Sequence, residues 1–212
     1  MLKRLFSMFV MSLLILLLAG CGNQGAADNH LSDNTDNDTD PPIKLGIIQI
    51  VEHPALDAAR KGFLETLAAD GYEEGKNLQV DFQNAQNDQS TLQAIARKFA
   101  QDKKDLILAV ATPSAIAMAN ETQDIPILIT AVTDPQEAKL VESMERPGTN
   151  VSGTTDMNPI KEQLELLKQL VPHANRVGVI YNSSEPNSEV QVKIVNQEAP
   201  KLGLTILEAP IT

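Results

Sequence analysis

Five prolines in this chain each stand where an apolar run gives way to a helical pattern: His53-Pro54, Thr112-Pro113, Asp134-Pro135, Asn158-Pro159 and Glu185-Pro186. A proline at the first helical position loses nothing, because its missing N–H would have no intrahelical acceptor. Thr112, Asp134 and Asn158 are residue types that cap helix starts well. The free N–H groups and positive end of such a helix suit a carboxylate or a phosphate. Any one joint is explained as a well-made helix start. The set, with its polar loops, points to a ligand cleft.

The elements that must position these joints lie in residues 43–212. Apolar runs at Ile43–Ile50, Leu106–Ala111, Ile125–Val132 and Val177–Tyr181 are short and nearly continuous, as in strands buried on both faces of a parallel sheet. Leu78–Phe82 alternates and reads as a strand nearer an edge, and Leu204–Leu207 reads as a last strand. Helical stripes lie between them: Leu56, Ala59, Phe63 and Leu67; Leu92, Ile95, Ala96 and Phe99; Ile160, Leu164, Leu167 and Val171. Strand–helix alternation predicts an α/β fold of doubly wound parallel sheets. The joints then follow the carboxyl ends of strands, where open α/β sheets bind ligands.

A faint repeat divides this region. Gly46, Pro54 and Gly71 recur as Gly178, Pro186 and Gly203. The aligned loops are Gln49-Ile50-Val51-Glu52-His53 and Tyr181-Asn182-Ser183-Ser184-Glu185. Two lobes of similar build would produce this pattern, with the turn-forming stretch Arg146-Pro147-Gly148-Thr149-Asn150 as the crossover. The expected division is lobe 1 over 43–150 and the start of lobe 2 over 151–212.

The N-terminus carries a separate message. Lys3 and Arg4 precede an apolar run over residues 5–18, too short for the roughly 20 residues of a membrane span. Leu18-Ala19-Gly20-Cys21 follows, and Cys21 is the only cysteine. The ending resembles the bacterial lipobox, in which the cysteine thiol receives a diacylglycerol and becomes the new N-terminus. Residues 1–20 are thus expected to be a lipoprotein signal peptide, and Cys21 a lipid anchor on the extracytoplasmic face of the cell membrane. Residues 21–42, with five aspartates and Leu31 as the one large apolar residue, read as a disordered tether.

Composition excludes several classes. The formal net charge is −11, which repels nucleic acid. A single cysteine, already assigned, leaves no intramolecular disulfide and no thiolate metal cage. Asp36-x-Asp38-x-Asp40 starts like a calcium loop, but Pro41 takes the place of the turn glycine and Ile47 that of the closing acid. Gly71-Tyr72-Glu73-Glu74-Gly75-Lys76 is one residue short of a phosphate loop, is followed by Asn77, and succeeds a helix. His30, His53 and His173 match no metal spacing, and no nucleophile–base–orienter set is present. The chain reads as a binding protein with no cofactor, no metal and no catalytic residue.

Several segments carry a family resemblance. They are Gly46-Ile47-Ile48-Gln49, Glu52-His53-Pro54-Ala55-Leu56-Asp57, Ala111-Thr112-Pro113-Ser114, Thr130-Ala131-Val132-Thr133-Asp134-Pro135, Gly153-Thr154-Thr155-Asp156-Met157 and Val179-Ile180-Tyr181-Asn182-Ser183-Ser184-Glu185. They resemble the substrate-binding lipoproteins of a bacterial ABC transporter family, some of whose members are linked to tryptophan or tyrosine uptake. The resemblance implies a type I periplasmic-binding fold, two lobes closing on a small solute, and delivery to ABC permease subunits. Such receptors are longer than the 212 residues here, so the second lobe is expected to be incomplete, with an unpaired apolar edge and weak solute binding by this chain alone.

An amino-acid-like solute, as the resemblance implies, needs an anchor for each charged end. Thr112 with Ser114, Thr133, and Ser183 with Ser184 are candidates for the carboxylate. Glu52, Asp134, Asp156 and Glu185 are candidates for the ammonium, Asp134 doubling as a helix cap. His53 enters the set only through the resemblance, since it could equally bond the neighbouring backbone, and Asn182 joins it from the same loop as Ser183. Tyr181 could stack on an aromatic ligand or sit in the core. The alternative function is an extracytoplasmic ligand sensor of the same fold, feeding a signalling receptor.

Overall fold

A computed structural model describes residues 41–212. The expected signal peptide, Cys21 and nearly all of the expected tether lie outside the described residues.

Two sheets form. The first contains β1 (Ile43–Gln49), β2 (Leu78–Asn84), β3 (Leu106–Val110), β4 (Ile127–Val132) and β5 (Val151–Thr155), all parallel, in the order β2-β1-β3-β4-β5. Its helices are α1 (Pro54–Ala69), α2 (Gln89–Gln101) and α3 (Thr112–Glu121). The second sheet pairs β6 (Arg176–Asn182) with β7 (Thr205–Ile211), again in parallel, with α4 (Ile160–Leu170), α5 (Pro186–Glu198) and a 3-10 turn at Ala199–Leu202. This is the α/β, doubly wound plan expected from the alternation of runs and stripes. β2 is an edge strand, as its alternating pattern implied.

The first sheet is packed on both faces because successive side chains of its central strands point to opposite sides. Leu45 and Ile47 of β1 join Leu108 and Val110 beneath Leu56, Phe63, Leu64 and Leu67 of α1. On the other face Ile48, Ile107, Ile127 and Ile129 pack against α2 and α3. All four residues of the α2 stripe, Leu92, Ile95, Ala96 and Phe99, are buried there. Asp88 caps α2, its Oδ1 accepting from the Thr91 N–H at 2.6 Å.

The first sheet extends further along the chain than the sequence suggested. Val151–Thr155, expected to open the second lobe, pairs with β4 as its fifth strand. Arg146–Asn150 is therefore the entry to β5, and the crossing to the second sheet falls at Asp156–Pro159. The pairing is irregular: the register shifts between Ile129 and Val132, and Ala131 lies at φ 55°. Gly153 (φ 148°) sits against the Ile129 backbone, where a Cβ would collide.

The second unit has a smaller core of Ile160, Leu164, Ala199 and Leu204. β6 is covered on one face only among the described residues. Ile180 is 74% exposed, in contrast to the two-sided burial expected of its apolar run. Leu207 and Ile211 of β7 are also exposed.

The repeated glycines consequently differ in role. A Cβ on Gly46 would come within 2.8 Å of Phe99 Cδ2 and 2.9 Å of Ile107 Cδ1, whereas one on Gly178 would meet nothing within 4 Å. Gly46→Ala is expected to cost about 1–3 kcal/mol through overpacking. Gly178→Ala is expected to change stability by less than about 0.5 kcal/mol. Urea unfolding checks this, and equal midpoints for the two variants would contradict the packing described.

Candidate ligand-binding site

In an all-parallel sheet every strand ends on the same edge. The joints after β1, β3, β4 and β5 therefore lie along one border of the first sheet. At its centre the backbone is strained. Ala111, the residue before α3, has φ 76° and ψ 155°, and Ala131 near the end of β4 is also left-handed. Non-glycine residues hold such conformations only where their surroundings enforce them, and they concentrate at functional sites.

These bends present three buried hydroxyl residues, Thr112, Ser114 and Thr133. Thr112 does not cap α3, as its position before Pro113 suggested. It lies inside the first turn, and its Oγ1 accepts from the Thr133 N–H at 3.4 Å, tying the ends of β3 and β4 together. The Thr133 carbonyl accepts from Thr155 Oγ1 at 2.6 Å. Ser114 is fully buried and its Oγ has no protein partner. An unpaired buried hydroxyl costs free energy, so this oxygen is the strongest single mark of a binding position. It sits in the first turn of α3, whose leading N–H groups have no intrahelical acceptor. A carboxylate suits that combination.

The acids are used differently from one another. Asp134 caps a turn rather than a regular helix, its Oδ1 accepting from the N–H groups of Gln136 at 3.1 Å and Glu137 at 2.9 Å. Glu185 is held by Asn182 Nδ2 at 3.2 Å and Asn187 Nδ2 at 3.4 Å. Asp156 is exposed at the end of β5, and Glu52 is exposed beyond β1. His53 caps α1, its Nδ1 accepting from the Ala55 N–H at 3.3 Å, which is the local backbone role. Asn158 stands one residue outside the α4 cap and donates across to Gln191 Oε1 at 3.1 Å.

The loop after β6 is largely self-contained. Asn182 Oδ1 accepts from the Ser184 N–H at 3.0 Å and the Ser184 hydroxyl at 2.7 Å, and Ser183 Oγ donates to the Ile211 carbonyl at 3.3 Å. Tyr181 donates to Glu208 Oε2 at 3.0 Å, and its hydroxyl pKa is raised, chiefly by that bond to the carboxylate.

A cleft of about 320 Å³ lies between the two sheets' edges, with Thr112, Asp134 and Glu137 on one wall and Pro186, Asn187 and Glu189 on the other. Lys193 Nζ bridges it to Glu137 Oε1 at 3.0 Å. Of the residues singled out from sequence, the structure brings Thr112 and Asp134 to this cleft. Glu52 lines a different pocket, and His53, Ser114, Thr133, Asp156, Asn182, Ser183, Ser184 and Glu185 line neither, Ser114 and Thr133 being buried behind the cleft's Thr112 wall. Asn187 was missed: its Oδ1 is buried without a partner on the second wall. Gln49 was missed too. It is fully buried at the end of β1, donates to the Val51 carbonyl (2.8 Å) and Asp57 Oδ1 (2.9 Å), and leaves Oε1 unpaired. A polar residue within Ile47-Ile48-Gln49-Ile50 was the available signal.

Comparison with known proteins places this geometry. Residues 44–212 match a family model described as ABC transporter substrate binding protein. A tyrosine-binding protein of Clostridioides difficile is 49% identical over 211 residues, covering 99% of this chain and 61% of the relative. A conserved domain protein from Vibrio cholerae matches at 44% identity and TM-score 0.77, over 80% of this chain and 57% of its own. A Streptococcus pneumoniae ABC domain in complex with L-Trp matches at 38% identity and TM-score 0.77, over 80% and 57%. The ligand-free, open form of a Clostridium difficile substrate binding protein with adhesive properties is 56% identical but has a TM-score of 0.64, over 80% and 58%. The backbone therefore follows the complexed relative more closely than the open one, despite lower identity. The fold is of the type I periplasmic-binding kind, and the chain spans about three fifths of these relatives' length.

The hydrogen-bond pattern separates two neighbouring hydroxyls. Without added solute, Ser114→Ala is expected to raise the unfolding free energy by about 1 kcal/mol, since a buried hydroxyl without a partner is removed and no protein bond is lost. Thr112→Val is expected to cost about 1 kcal/mol or more, because it strands the Thr133 N–H. Chemical denaturation checks both, and the reverse ranking would contradict the assignment.

Proposed function

We propose that this chain, which belongs to the ABC transporter substrate binding protein family, captures a small amino acid of aromatic type outside the cell for an ABC importer. The observation that carries the reading is the buried, unpartnered Ser114 hydroxyl at the start of α3, on a strand-end edge facing a second α/β unit. The named relatives, one tyrosine-binding and one complexed with L-Trp, support the aromatic class.

In this reading the solute carboxylate meets Ser114, Thr133 and the first turn of α3, with Thr112 holding the two strand ends in place. The ammonium faces the acids of the cleft, Asp134 and Glu189. Contact with both walls favours the closed arrangement, since a ligand shifts an equilibrium only by its differential contacts. Cleavage before Cys21 and acylation of its thiol hold the protein to the membrane, residues 22–42 give it reach, and permease subunits receive the solute. The acidic surface makes the lipid the attachment.

Native mass spectrometry of the protein from its own cells, in the longest form those cells make, is expected to reveal a co-purifying aromatic amino acid. In that protein Ser114→Ala combined with Thr133→Ala is expected to weaken capture by about tenfold or more, as loss of hydrogen bonds to a charged group would, with no loss of melting temperature. Unchanged affinity would remove these residues from the site, and a non-amino-acid passenger would overturn the ligand class.

The anchor is tested separately. Cys21→Ala is expected to abolish palmitate incorporation and move the protein from the membrane fraction to the soluble fraction. Retention in the membrane without label would refute lipidation at this residue.

A further inference from the structure

A cavity of about 470 Å³ among the described residues is separate from the cleft between the units. It lies at the carboxyl ends of β1 and β2 and is lined by Glu52, Asp57, Arg60, Phe82, Asn84 and Gln86, with Val51 at its edge. Arg60 of α1 lays its guanidinium carbon 4.0 Å from the centroid of the Phe82 ring. A guanidinium on an aromatic face is a rigid, weakly hydrated planar surface. Arg60 Nη2 lies 3.5 Å from Asp57 Oδ1, and Asp57 is in turn held by Gln49. The Arg60 Nε is buried with no acceptor. Phe82 is 37% exposed. The rim is strained: Gln86 and Asn87 are consecutive left-handed residues, with the Gln86 N–H donating to Asn84 Oδ1 at 2.8 Å.

We propose that this pocket is an aryl subsite, in which the Arg60–Phe82 stack receives the ring of an aromatic solute and Glu52 accepts a hydrogen bond from its polar edge, a phenol O–H or an indole N–H. The inference rests on the reading of the chain as an amino-acid receptor and adds where the side chain is recognised. Charge argues against a carboxylate here. Two acids, Glu52 and Asp57, face one guanidinium, so the pocket is already net negative. A neutral π system with a donor edge fits both the cationic stack and the free carboxylate. The position is compatible with the carboxylate anchors, because Gln49 at the end of β1 pairs with Val110 at the end of β3, immediately before Ala111 and Thr112. Glu52 thereby gains a role different from the ammonium contact expected from sequence.

The test uses p-cresol, indole, L-tyrosine, L-tryptophan and L-leucine as probes on the wild-type chain, Arg60→Met and Phe82→Leu, each confirmed folded by its melting transition. NMR titration with p-cresol or indole is expected to give saturable shifts at the Arg60 Nε–H and the Asn84 and Gln86 amides. Both variants are expected to lose them. By calorimetry Arg60→Met is expected to weaken the two aromatic amino acids about tenfold, the range of a desolvated cation–π contact, while leucine changes less than about twofold. Absence of saturable shifts in the wild type, or equal losses for leucine and the aromatic amino acids, overturns the subsite. A chain that takes p-cresol in this pocket yet binds no amino acid keeps the subsite and loses the receptor reading.

Discussion

Parallel pairing of β1 with β2 on one side and β3 on the other is the constraint on which the molecule rests. Parallel strands cannot be joined by tight hairpins, so each connection must cross over a face of the sheet. The crossovers bury both faces, with α1 on one and α2 and α3 on the other. They also send every strand's carboxyl end to one edge. Side chains from residues 49, 84, 112 and 133, far apart in the chain, share that edge for this reason alone.

What the edge then does depends on local backbone strain. Ala111 and Ala131 carry left-handed φ values that turn the chain sharply beyond β3 and β4. The turns leave Thr112, Ser114 and Thr133 buried, and the Ser114 Oγ without a partner. Burial of polar atoms without partners is destabilising, so the packed sheet behind them offsets the cost of keeping them ready. Across the cleft the second unit contributes the first turn of α5, and Lys193 with Glu137 links the two.

Much of the first sheet was legible because its strands are apolar runs and its helices carry one-sided stripes. The α2 stripe was read residue by residue and is buried as a set. β5 was not legible as a member of this sheet, since Ser152, Gly153, Thr154 and Thr155 are polar or small and exposed, and its membership comes from hydrogen bonds to β4. The apolar run in β6 misled in the opposite sense, with Ile180 facing outward. The proline joints marked the strand-end edge but not the hydrogen-bond partners along it. Thr112 bonds Thr133 rather than capping its helix, and His53 and Glu185 bond their own loops. Arg60 and Asn187 became visible only once folding showed which of their polar atoms are buried and unpaired, whereas Gln49 was marked beforehand by its place in an apolar run.

The central claim is that a solute is held where the first sheet's carboxyl edge faces the start of α5. Hydrogen–deuterium exchange with and without L-tyrosine tests it most directly. The account requires slower exchange together at residues 112–117, 133–138 and 187–192. Protection confined to one unit, or falling instead on the opposite end of the sheet around residues 119–123 and 148–151, would contradict it.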